Sequence, residues 1–417
     1  MSTPLPSTPP RSPLLTLDEA LARLKAAVRS FAAHEAETVS TFDALGRVLA
    51  EAVASTLDVP PADNTSMDGY ALRCADVPAP GAVLPVSQRI PAGVVGAPLL
   101  PGTAARIFTG AQVPAGADAV VMQEQCEAVD DAVRINTQPV AGQWIRRRGE
   151  DVQAGAQVLP VGTRLTPQAL GLAAAVGAAS LRVARRPRVA LFSTGDELVM
   201  PGEPLKPGAI YNSNRFTLRG LIQALGCDCT DLGIVPDRLD ATREALRRAA
   251  QGSDLIVTSG GVSVGEEDHL RPAVQAEGRL ELWQIAIKPG KPLAFGEVRR
   301  ADGSNAYFIG LPGNPVSSFI TFLLAVRPVL LQLQGATELQ PRGMALRADF
   351  DWPRPDKRRE FLRVRRNERG GLDLFDNQSS GVLTSAVWAD GVVDTPAGQP
   401  IQSGDAVTYL SFAELLS

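Results

Sequence analysis

The stretch LIVTSGGVSVGEED at residues 255–268 is an apolar strand that runs straight into a glycine-rich, acidic turn. The chain repeats this pattern three more times nearby, as VALFSTGDE (189–197), WQIAIKPGKP (283–292) and YFIGLPGNP (307–315). One such turn alone is an ordinary structural feature, because Gly-Gly and Pro-Gly are common turn formers. Ligands of open parallel sheets bind at the carboxyl ends of the strands, so we expect the four turns to face one crevice.

The four turns share a composition that indicates one type of ligand. Their glycines let backbone N–H groups approach phosphate, and their carboxylates suit a divalent cation. We therefore expect a polyanion that is bound together with a metal ion. The side chains that carry this chemistry are Asp196, Glu197, Glu266, Glu267, Asp268, Lys288, Lys291 and Asn314.

The whole pattern predicts a multi-domain α/β protein. Residues 186–335 alternate between strands and helices as βαβ units do, which predicts a three-layer α/β domain. Within it, helices are expected near 214–225, 238–250, 270–277 and 315–333. Residues 336–417 change to short alternating strands between Gly and Asp turns, which predicts a small domain of the β-barrel or sandwich type.

The N-terminal part shows two helix starts and a β-rich insertion. Thr16 and Glu19 form a capping box, and Thr166-Pro167 is a favourable start for a second helix. Residues 56–144 hold short β-rich runs between many Pro and Gly turns. We predict that they form a small domain inserted into an elongated domain of residues 15–55 and 145–185. Residues 1–14, rich in Pro, Ser and Thr, are expected to be a disordered tail.

Composition excludes several classes of function. The 417 residues carry a net charge of −4, which gives no general attraction to nucleic acid or to a membrane. No apolar run approaches the roughly 20 residues of a spanning helix, and the N-terminus lacks the apolar segment of a secretory signal. The four cysteines form no CxxC pair, and only two histidines are present, which argues against zinc and favours reduced thiols in a cytoplasm. The absence of a GxxxxGK[ST] loop argues against an ordinary kinase or ATPase.

Three further polar segments are candidates for binding. DNTSMDGY (63–70) is a dense polar loop, although such a loop also satisfies its own backbone. RRRGED (146–151) is either a solvated charge run or a clamp for phosphate and metal. LPGNP (311–315) precedes an apolar helix whose N-terminal N–H groups form an anion site, while Asn314 could also simply cap that helix.

Eight motifs together resemble one family. They are NTSMDGYAL, RIFTGAQVP, ADAVVMQEQ, IRRRGEDV, LFSTGDEL, TSGGVSVGEEDH, AIKPGKPLAFG and GLPGNPVSS. In this order they resemble the bacterial molybdopterin molybdenumtransferase (MoeA) family, and they are similar to the E domains of gephyrin and of its plant counterpart. The resemblance covers nearly the whole chain from about residue 15 onward.

The resemblance implies a reaction and a set of site residues. The implied reaction is the Mg²⁺-dependent insertion of molybdate into adenylylated molybdopterin, with release of AMP. The implied catalytic residues are Asp68, Thr109, Asp151, Glu197, Asp237 and Asp268, of which Glu197 and Asp268 are the expected metal ligands. The expected substrate-binding residues are Gly260, Gly261, Ser263, Lys288, Lys291, Pro292, Asn314, Ser317, Arg363 and Ser385. Arg363 and Ser385 would complete the molybdate pocket, whereas the alternative for Arg363 is a solvated charge on a strand edge.

The resemblance also implies an assembly. Family members are elongated homodimers in which the α/β domain of one subunit and the N-terminal loops of the other share a crevice. A cytoplasmic location is expected, with a molybdopterin adenylyltransferase and proteins of molybdoenzyme maturation as partners. Two rival functions stay open. A molybdopterin adenylyltransferase would need neither residues 1–185 nor 336–417, and a gephyrin-like scaffold would be expected to carry a long linker and a second α/β domain.

Overall fold

A computed structural model gives the fold for residues 14–261 and 269–416. The expected N-terminal tail and the acidic turn with Ser263 and Asp268 lie outside these residues. The chain in between forms an α/β domain, an elongated N-terminal unit with an inserted β-sheet, and a C-terminal barrel. The predicted fold class is therefore confirmed.

The α/β domain is built on a six-stranded sheet. In spatial order its strands are Asp228–Val235, Arg188–Thr194, Leu255–Ser259, Asn305–Leu311, Pro292–Arg299 and Gly278–Gln284. The first four are parallel, and Pro292–Arg299 runs antiparallel to both of its neighbours. As a result, the four strands that precede the polar turns all end at the same edge of the sheet.

Helices cover both faces of this sheet, which gives the predicted three layers. Leu239–Gly252 and Leu270–Glu277 pack on one face. Ser213–Ala224 and the long helix Pro315–Leu333 pack on the other. The positions of the three shorter helices agree with the apolar spacing in the sequence, because their buried side chains lie on the stripe that faces the sheet.

The first helix, Leu17–Ala27, begins at the predicted capping box. The Thr16 hydroxyl accepts from the Glu19 N–H, and the Glu19 carboxylate accepts from the Thr16 N–H. Its apolar stripe packs into the same core as the long helix Pro315–Leu333. The predicted domain boundaries, which assign this helix to the elongated unit, stay a prediction.

The helix Pro315–Leu333 is the central helix of the core. Its middle part, Phe322–Val326, is wound as a π-helix. With 19 residues it is long and apolar enough to cross a membrane by length and composition alone, contrary to the sequence expectation. Most of it is buried between the sheet, the first helix and the barrel, and this burial accounts for its composition.

The elongated unit joins distant parts of the chain through short strand pairs. Its pairs are Ala36–Ser40 with Ser180–Ala184, and Val53–Ala54 with Gln157–Leu159. Its helix Pro167–Ala175 is capped by Thr166 as predicted.

The inserted sheet has six strands, in the order Ala119–Met122, Gly69–Leu72, Ala104–Ile107, Ala82–Ile90, Ala132–Ile135 and Cys126–Val129. The short pair Asn64–Thr65 and Ile145–Arg146 brings the two polar loops of this region side by side.

The C-terminal domain is a closed barrel. Its strands are Met344–Ala348, Arg359–Arg366, Gly371–Leu374, Gly391–Thr395 and Ala406–Ser411. The barrel closes because Arg359–Arg366 pairs with both Gly371–Leu374 and Gly391–Thr395. The short strand Ile287–Lys288 of the α/β domain adds to the barrel by parallel pairing with Arg359 and Glu360. The barrel is completed by two helices that the sequence did not predict, Leu383–Trp388 and Phe412–Leu416.

A charged cluster ties the elongated unit to the α/β domain. Arg185 donates to both carboxylate oxygens of Asp254, at 2.6 and 2.8 Å, and to Glu35 at 2.8 and 3.0 Å. Burial alone would raise the pKa of Asp254, but the hydrogen bonds from Arg185 and from the Arg188 N–H outweigh it and lower the pKa. The ion pair is therefore formed at neutral pH.

We expect Arg185→Met to destabilise the protein by about 3 kcal/mol at pH 7, because the buried Asp254 carboxylate then keeps only Arg188, whose guanidinium lies 3.7 Å away. Since folding lowers the pKa of Asp254, the stabilisation is complete above the unfolded pKa of about 3.9 and is lost as the pH falls below it. The deficit should therefore shrink towards pH 3. Urea unfolding at both pH values measures it. Arg134→Met, which breaks an exposed pair with Glu127, is the control and should cost less than about 1 kcal/mol. Equal effects of the two variants would contradict the prediction.

Candidate active site

The turns at the carboxyl edge of the α/β sheet line one open crevice of about 1010 Å³. For the part of the turns that the structure describes, the predicted convergence is thus confirmed. The lining includes these residues of the predicted set: Glu197, Gly260, Gly261, Lys288, Lys291, Pro292, Asn314 and Ser317. The size is that of a pocket for a ligand larger than a single ion.

Glycines shape the floor of the crevice. Gly260 and Gly261 have positive φ angles of +88° and +65°, in the region that favours glycine. Gly290 has a φ of +106°, and a Cβ there would lie 2.2 Å from Thr321 Oγ1 of the central helix. The turn from Lys288 to Pro292 therefore rests directly on that helix, and its backbone faces the crevice without a side chain at Gly290.

The two lysines of this turn differ in their surroundings. Lys288 Nζ lies 3.1 Å from Glu360 Oε1 and 3.6 Å from Asp356 Oδ2, both on the barrel. The geometry to Glu360 is that of an ion pair rather than an aligned hydrogen bond. Lys291, by contrast, makes no ion pair with any carboxylate of residues 14–261 and 269–416. Lys291 is therefore the cation of this turn that is available to an anionic ligand.

Glu360 is a buried carboxylate that has hydrogen-bond donors on one of its two oxygens. Its side chain is 1% exposed, and Oε2 accepts from Trp352 Nε1 at 2.9 Å and from the Asp356 N–H at 2.8 Å. Arg358 binds Asp356 through two nitrogens, and this pair is the main reason why the pKa of Asp356 is low. Barrel carboxylates thus neutralise Lys288 and Arg358, two of the cations in the crevice wall.

Arg363 and Ser385 lie together directly behind this wall. Arg363 is 1% exposed, so the alternative of a solvated edge charge is wrong. Its Nε lies 3.2 Å from Ser385 Oγ, and its Nη2 lies 3.4 Å from the carbonyl of Ser379, which lines the crevice. Burial lowers the pKa of Arg363 to about 10. The guanidinium is therefore charged at neutral pH, and within residues 14–261 and 269–416 it is bonded to neutral acceptors only.

Among the residues that the structure describes, few carboxylates lie at the crevice edge. Glu197 is exposed and lines the crevice. Asp237 lies at the end of the neighbouring strand, where its N–H donates to Asp196 Oδ1 at 3.3 Å. Within the ranges that the structure covers, no group of three or more His, Cys, Asp or Glu residues could hold a metal ion. Asp268 and Ser263 fall outside those ranges.

Three of the predicted catalytic residues, Asp68, Thr109 and Asp151, lie on the N-terminal loops outside the crevice. Asp68 Oδ1 accepts from both the N–H and the hydroxyl of Thr109, each at 2.7 Å, and these bonds keep the pKa of Asp68 below its usual value. Asp151 is exposed on the adjacent loop, and its N–H donates to Val59. None of these three residues lines the crevice of the same chain.

Two of the three arginines before Asp151 form ion pairs with aspartates of the neighbouring loop. Arg147 pairs with Asp63 at 2.7 Å, and Arg148 pairs with Asp58 at 2.5 Å. Both pairs hold the two polar loops of the N-terminal region together. For Arg147 and Arg148 this arrangement favours a structural role over a clamp for phosphate and metal. Arg146 is exposed.

Sequence reasoning missed two parts of the crevice wall. Asn212 and Asn214 line it at the start of helix Ser213–Ala224, where Asn214 donates to the Gly313 carbonyl at 2.7 Å. The capping pattern at Asn212 was a signal for the helix start and could have revealed this position. The loop 378–381 of the barrel also lines the crevice, and no local signal marks it.

Comparison with known proteins agrees with this architecture. The chain is 38% identical over 412 residues to "Molybdopterin molybdenumtransferase" of Haemophilus influenzae, an alignment that covers 97% of this chain and 100% of that protein. The chain belongs to the molybdopterin molybdenumtransferase family. It is therefore an enzyme.

The family regions follow the architecture along the chain. Residues 15–177 match the MoeA N-terminal region (domain I and II), 190–332 a probable molybdopterin binding domain, and 345–412 the MoeA C-terminal region (domain IV). The molybdopterin molybdenumtransferase of Bacillus subtilis is 33% identical over 91% of this chain and 90% of its own length. The crystal structure of the molybdopterin biosynthesis moeA protein from Pyrococcus horikoshii superposes with a TM-score of 0.81, at 29% identity, over 95% of this chain and 100% of that one.

Proposed function

We propose that this enzyme inserts molybdenum into molybdopterin, with molybdate and adenylylated molybdopterin as its substrates, Mg²⁺ as its metal ion and AMP as a product. Family membership supports the insertion reaction. The observation that carries the proposal is the crevice itself, where Lys291 and the glycine turns face a space large enough for a pterin nucleotide.

The phosphates of the substrate are best accommodated by the turns. Gly260, Gly261 and Gly290 expose backbone rather than side chains. Asn314 and Ser317 stand at the start of the long helix Pro315–Leu333, whose N-terminal N–H groups favour an anion. Lys291 adds a full positive charge beside them.

The residues present fit a Mg²⁺ ion of the kind that serves phosphate transfer. Such an ion takes one or two protein carboxylates and completes its shell with waters and substrate phosphates. The exposed carboxylate of Glu197 in the crevice supports one such position, and Asp268 is proposed as the second ligand. When bound, the metal supplies charge neutralisation for the departing AMP group.

The oxyanion pocket is proposed to involve Arg363, Ser385 and Lys288. The planar guanidinium of Arg363 has three long hydrogen bonds, of 3.2 to 3.4 Å, to neutral oxygens. A dianion would be a stronger acceptor than any of them. Because Ser379 separates Arg363 from the open crevice, molybdate would reach the guanidinium by a shift of the loop 378–381.

We expect Arg363→Ala to raise the molybdate concentration for half-maximal insertion tenfold or more, about 1.4 kcal/mol or greater. Binding of adenylylated molybdopterin should change little, because its phosphates lie on the α/β turns. Calorimetry with each ligand separately measures this. Arg365→Ala, an exposed position on the same strand, is the matched control. Arg363→Lys fills the space but lacks the planar fork and should recover binding only in part. A fall in both affinities indicates a disturbed fold, and no change in either would exclude the oxyanion role.

The protein is proposed to be a homodimer that shares its crevices. Asp68, Thr109 and Asp151 form a second polar group away from the crevice of their own chain. A partner subunit's copy of this group would complete the site. On the elongated unit, Phe42 is 92% exposed and Leu45 is 58% exposed, which supports an apolar contact there.

The cellular setting is also proposed. We infer a cytoplasmic enzyme that receives its substrate from a molybdopterin adenylyltransferase and passes its product to proteins of molybdoenzyme maturation. The direct test incubates the protein with adenylylated molybdopterin, Mg²⁺ and molybdate. AMP release that requires molybdate and yields molybdenum cofactor is the expected result. Formation of the adenylylated pterin from ATP instead would identify an adenylyltransferase, and no turnover would favour a scaffold.

A further inference from the structure

One wall of the crevice carries apolar side chains beside the exposed carboxylate of Glu197. Leu198, Ile210 and Tyr211 line the crevice there. Ile210 is 56% exposed and Tyr211 is 44% exposed, so both keep a large apolar surface that no other part of the described chain covers. Ligand pockets use such aromatic and aliphatic surfaces to pack the planar, uncharged part of a ligand.

Hydrogen bonds hold this wall in a fixed position. The Ile210 N–H donates to the Glu197 carbonyl at 2.8 Å, as part of a short parallel strand pair. The Tyr211 hydroxyl donates to the Glu203 carbonyl at 3.0 Å, which sets the orientation of the ring. The wall is therefore formed before a ligand binds, and a ligand that packs on it pays little to order it.

Asn212, the next residue along the chain, brings an unsatisfied donor to the same wall. It lines the crevice and is 2% exposed. Its Oδ1 accepts from the Arg215 N–H at 3.2 Å as the N-cap of helix Ser213–Ala224, and this bond fixes which end of the amide carries the oxygen. Among the residues that the structure describes, the buried Nδ2 has no acceptor. Such a donor is unfavourable until it meets an acceptor, which a ligand atom could supply.

The wall adjoins the turn that is proposed to hold phosphate. Asn214, in the first turn of the same helix, donates through Nδ2 to the Gly313 carbonyl at 2.7 Å. Asn314, the residue after Gly313, lines the same crevice at the start of helix Pro315–Leu333. One ligand can therefore place a phosphate group on the turn and an uncharged ring on the wall.

We propose that Tyr211 and Asn212 form the subsite for a planar nitrogen heterocycle of the substrate. The ring would pack against Tyr211, and a ring nitrogen or a carbonyl oxygen would accept a hydrogen bond from Asn212 Nδ2. This inference rests on the proposed function, because that function supplies a substrate with two such rings, the pterin and the adenine. A site with a buried donor discriminates strongly against a ligand that lacks the matching acceptor, so Asn212 would determine specificity.

A buried water is the alternative partner of Asn212 Nδ2. In that case the amide would support only the helix and the water, and ligand affinity would not depend on it. Substitution separates the two roles of the side chain. Serine caps a helix about as well as asparagine does, but it is shorter and has no amide N–H group.

Calorimetry on the full-length protein with Mg²⁺ tests the subsite. The probes are AMP, molybdopterin and pyrophosphate, of which pyrophosphate has no ring. We expect Asn212→Ser to weaken binding of AMP or of molybdopterin about fivefold and to leave pyrophosphate binding unchanged. Tyr211→Ala should weaken binding of the same ligand about tenfold, whereas Tyr211→Phe keeps the ring and should stay within a few-fold of the wild type. Asn136→Ser, an exposed position on the inserted sheet, is the matched control.

The ligand that responds identifies the ring. Weaker binding of AMP alone assigns the subsite to the adenine, and weaker binding of molybdopterin alone assigns it to the pterin. Weaker binding of both shows that the subsite accepts either ring. Thermal unfolding without ligand shows whether each variant is folded, and the exposed position of Tyr211 keeps the test decisive if Asn212→Ser does not fold.

Three results would overturn the proposal. Unchanged affinities for both AMP and molybdopterin in a folded Asn212→Ser or Tyr211→Ala variant would leave the amide to a buried water. An equal loss of pyrophosphate binding would show that these residues act on the phosphates. A wild type that binds neither AMP nor molybdopterin would contradict the proposed function and this inference together, whereas the first two results contradict this inference alone.

Discussion

Replacing Lys291 with alanine is expected to lower the rate of molybdate-dependent AMP release about a hundredfold, the usual effect of removing one preorganised group that stabilises developing charge. The reason is that Lys291 lines the crevice without a carboxylate partner in the part of the chain that the structure describes. Its charge is therefore fully available to the pyrophosphate or the oxyanion. Steady-state AMP release with saturating substrates measures the effect, and the midpoint of thermal unfolding should stay unchanged.

Lys288→Ala is the matched comparison and should behave differently. Lys288 pairs with Glu360, which is 1% exposed, so that its loss leaves a buried carboxylate without its cation. We expect the midpoint of thermal unfolding to fall by several degrees. If Lys291→Ala kept AMP release within a few-fold of the wild type, the crevice would not use this cation. Equal unfolding midpoints for Lys288→Ala and the wild type would show that Glu360 does not depend on Lys288.

Mixing an inactive Asp68→Ala subunit with an inactive Lys291→Ala subunit is expected to restore activity from near zero to about half of the sites in each mixed dimer. In a shared crevice, one site of the mixed dimer takes Lys291 from the first chain and Asp68 from the second, and both are intact. The other site carries both changes. The subunits are separately tagged, unfolded, refolded together and purified as heterodimers before the assay.

Two controls define the outcome of this mixing experiment. Glu197→Ala mixed with Lys291→Ala should give no recovery, because both residues line the crevice of one chain. Phe42→Asp in both subunits should prevent assembly if the exposed ring lies in the interface. No activity in verified heterodimers of Asp68→Ala and Lys291→Ala would mean that both residues serve the same subunit's site. Recovery in the Glu197 control would show that subunits exchange or that one variant retains activity.

Local patterns in the sequence predicted the helices and strand ends that form the crevice. The helix Leu270–Glu277 and the long helix Pro315–Leu333 follow from apolar spacing, and the start of Leu17–Ala27 follows from its capping box. The crevice followed from the four strand ends, because parallel strands place their carboxyl ends at one edge. The helices were predictable because each depends on residues close together in the chain, and the crevice was predictable because a parallel sheet aligns the ends of its strands.

The sequence patterns did not predict contacts between segments that are distant in the chain. Lys288 and Glu360 are brought together by a two-residue strand pair between two domains, and no spacing rule reports such a contact. The run Arg358-Arg359-Glu360-Phe361-Leu362-Arg363 also has the appearance of an exposed charged strand. Both side chains are nevertheless buried, on opposite faces of the strand. Glu360 lies on the face of Leu362, inside the barrel, and Arg363 lies on the outer face, which the loop 378–381 and Ser385 cover.

The long helix Pro315–Leu333 has a consequence for how the length of this chain can vary. Ser317 near its start lines the crevice, and Leu331 near its end lines a second cavity of about 720 Å³ beside the elongated unit, about 20 Å away along the axis. One inserted or deleted residue would turn one end against the other by about 100° and shift it by about 1.5 Å. Either Ser317 or Leu331 would then leave its cavity. Changes in the number of residues of this segment are therefore expected to be tolerated far less than substitutions that preserve its buried apolar side chains.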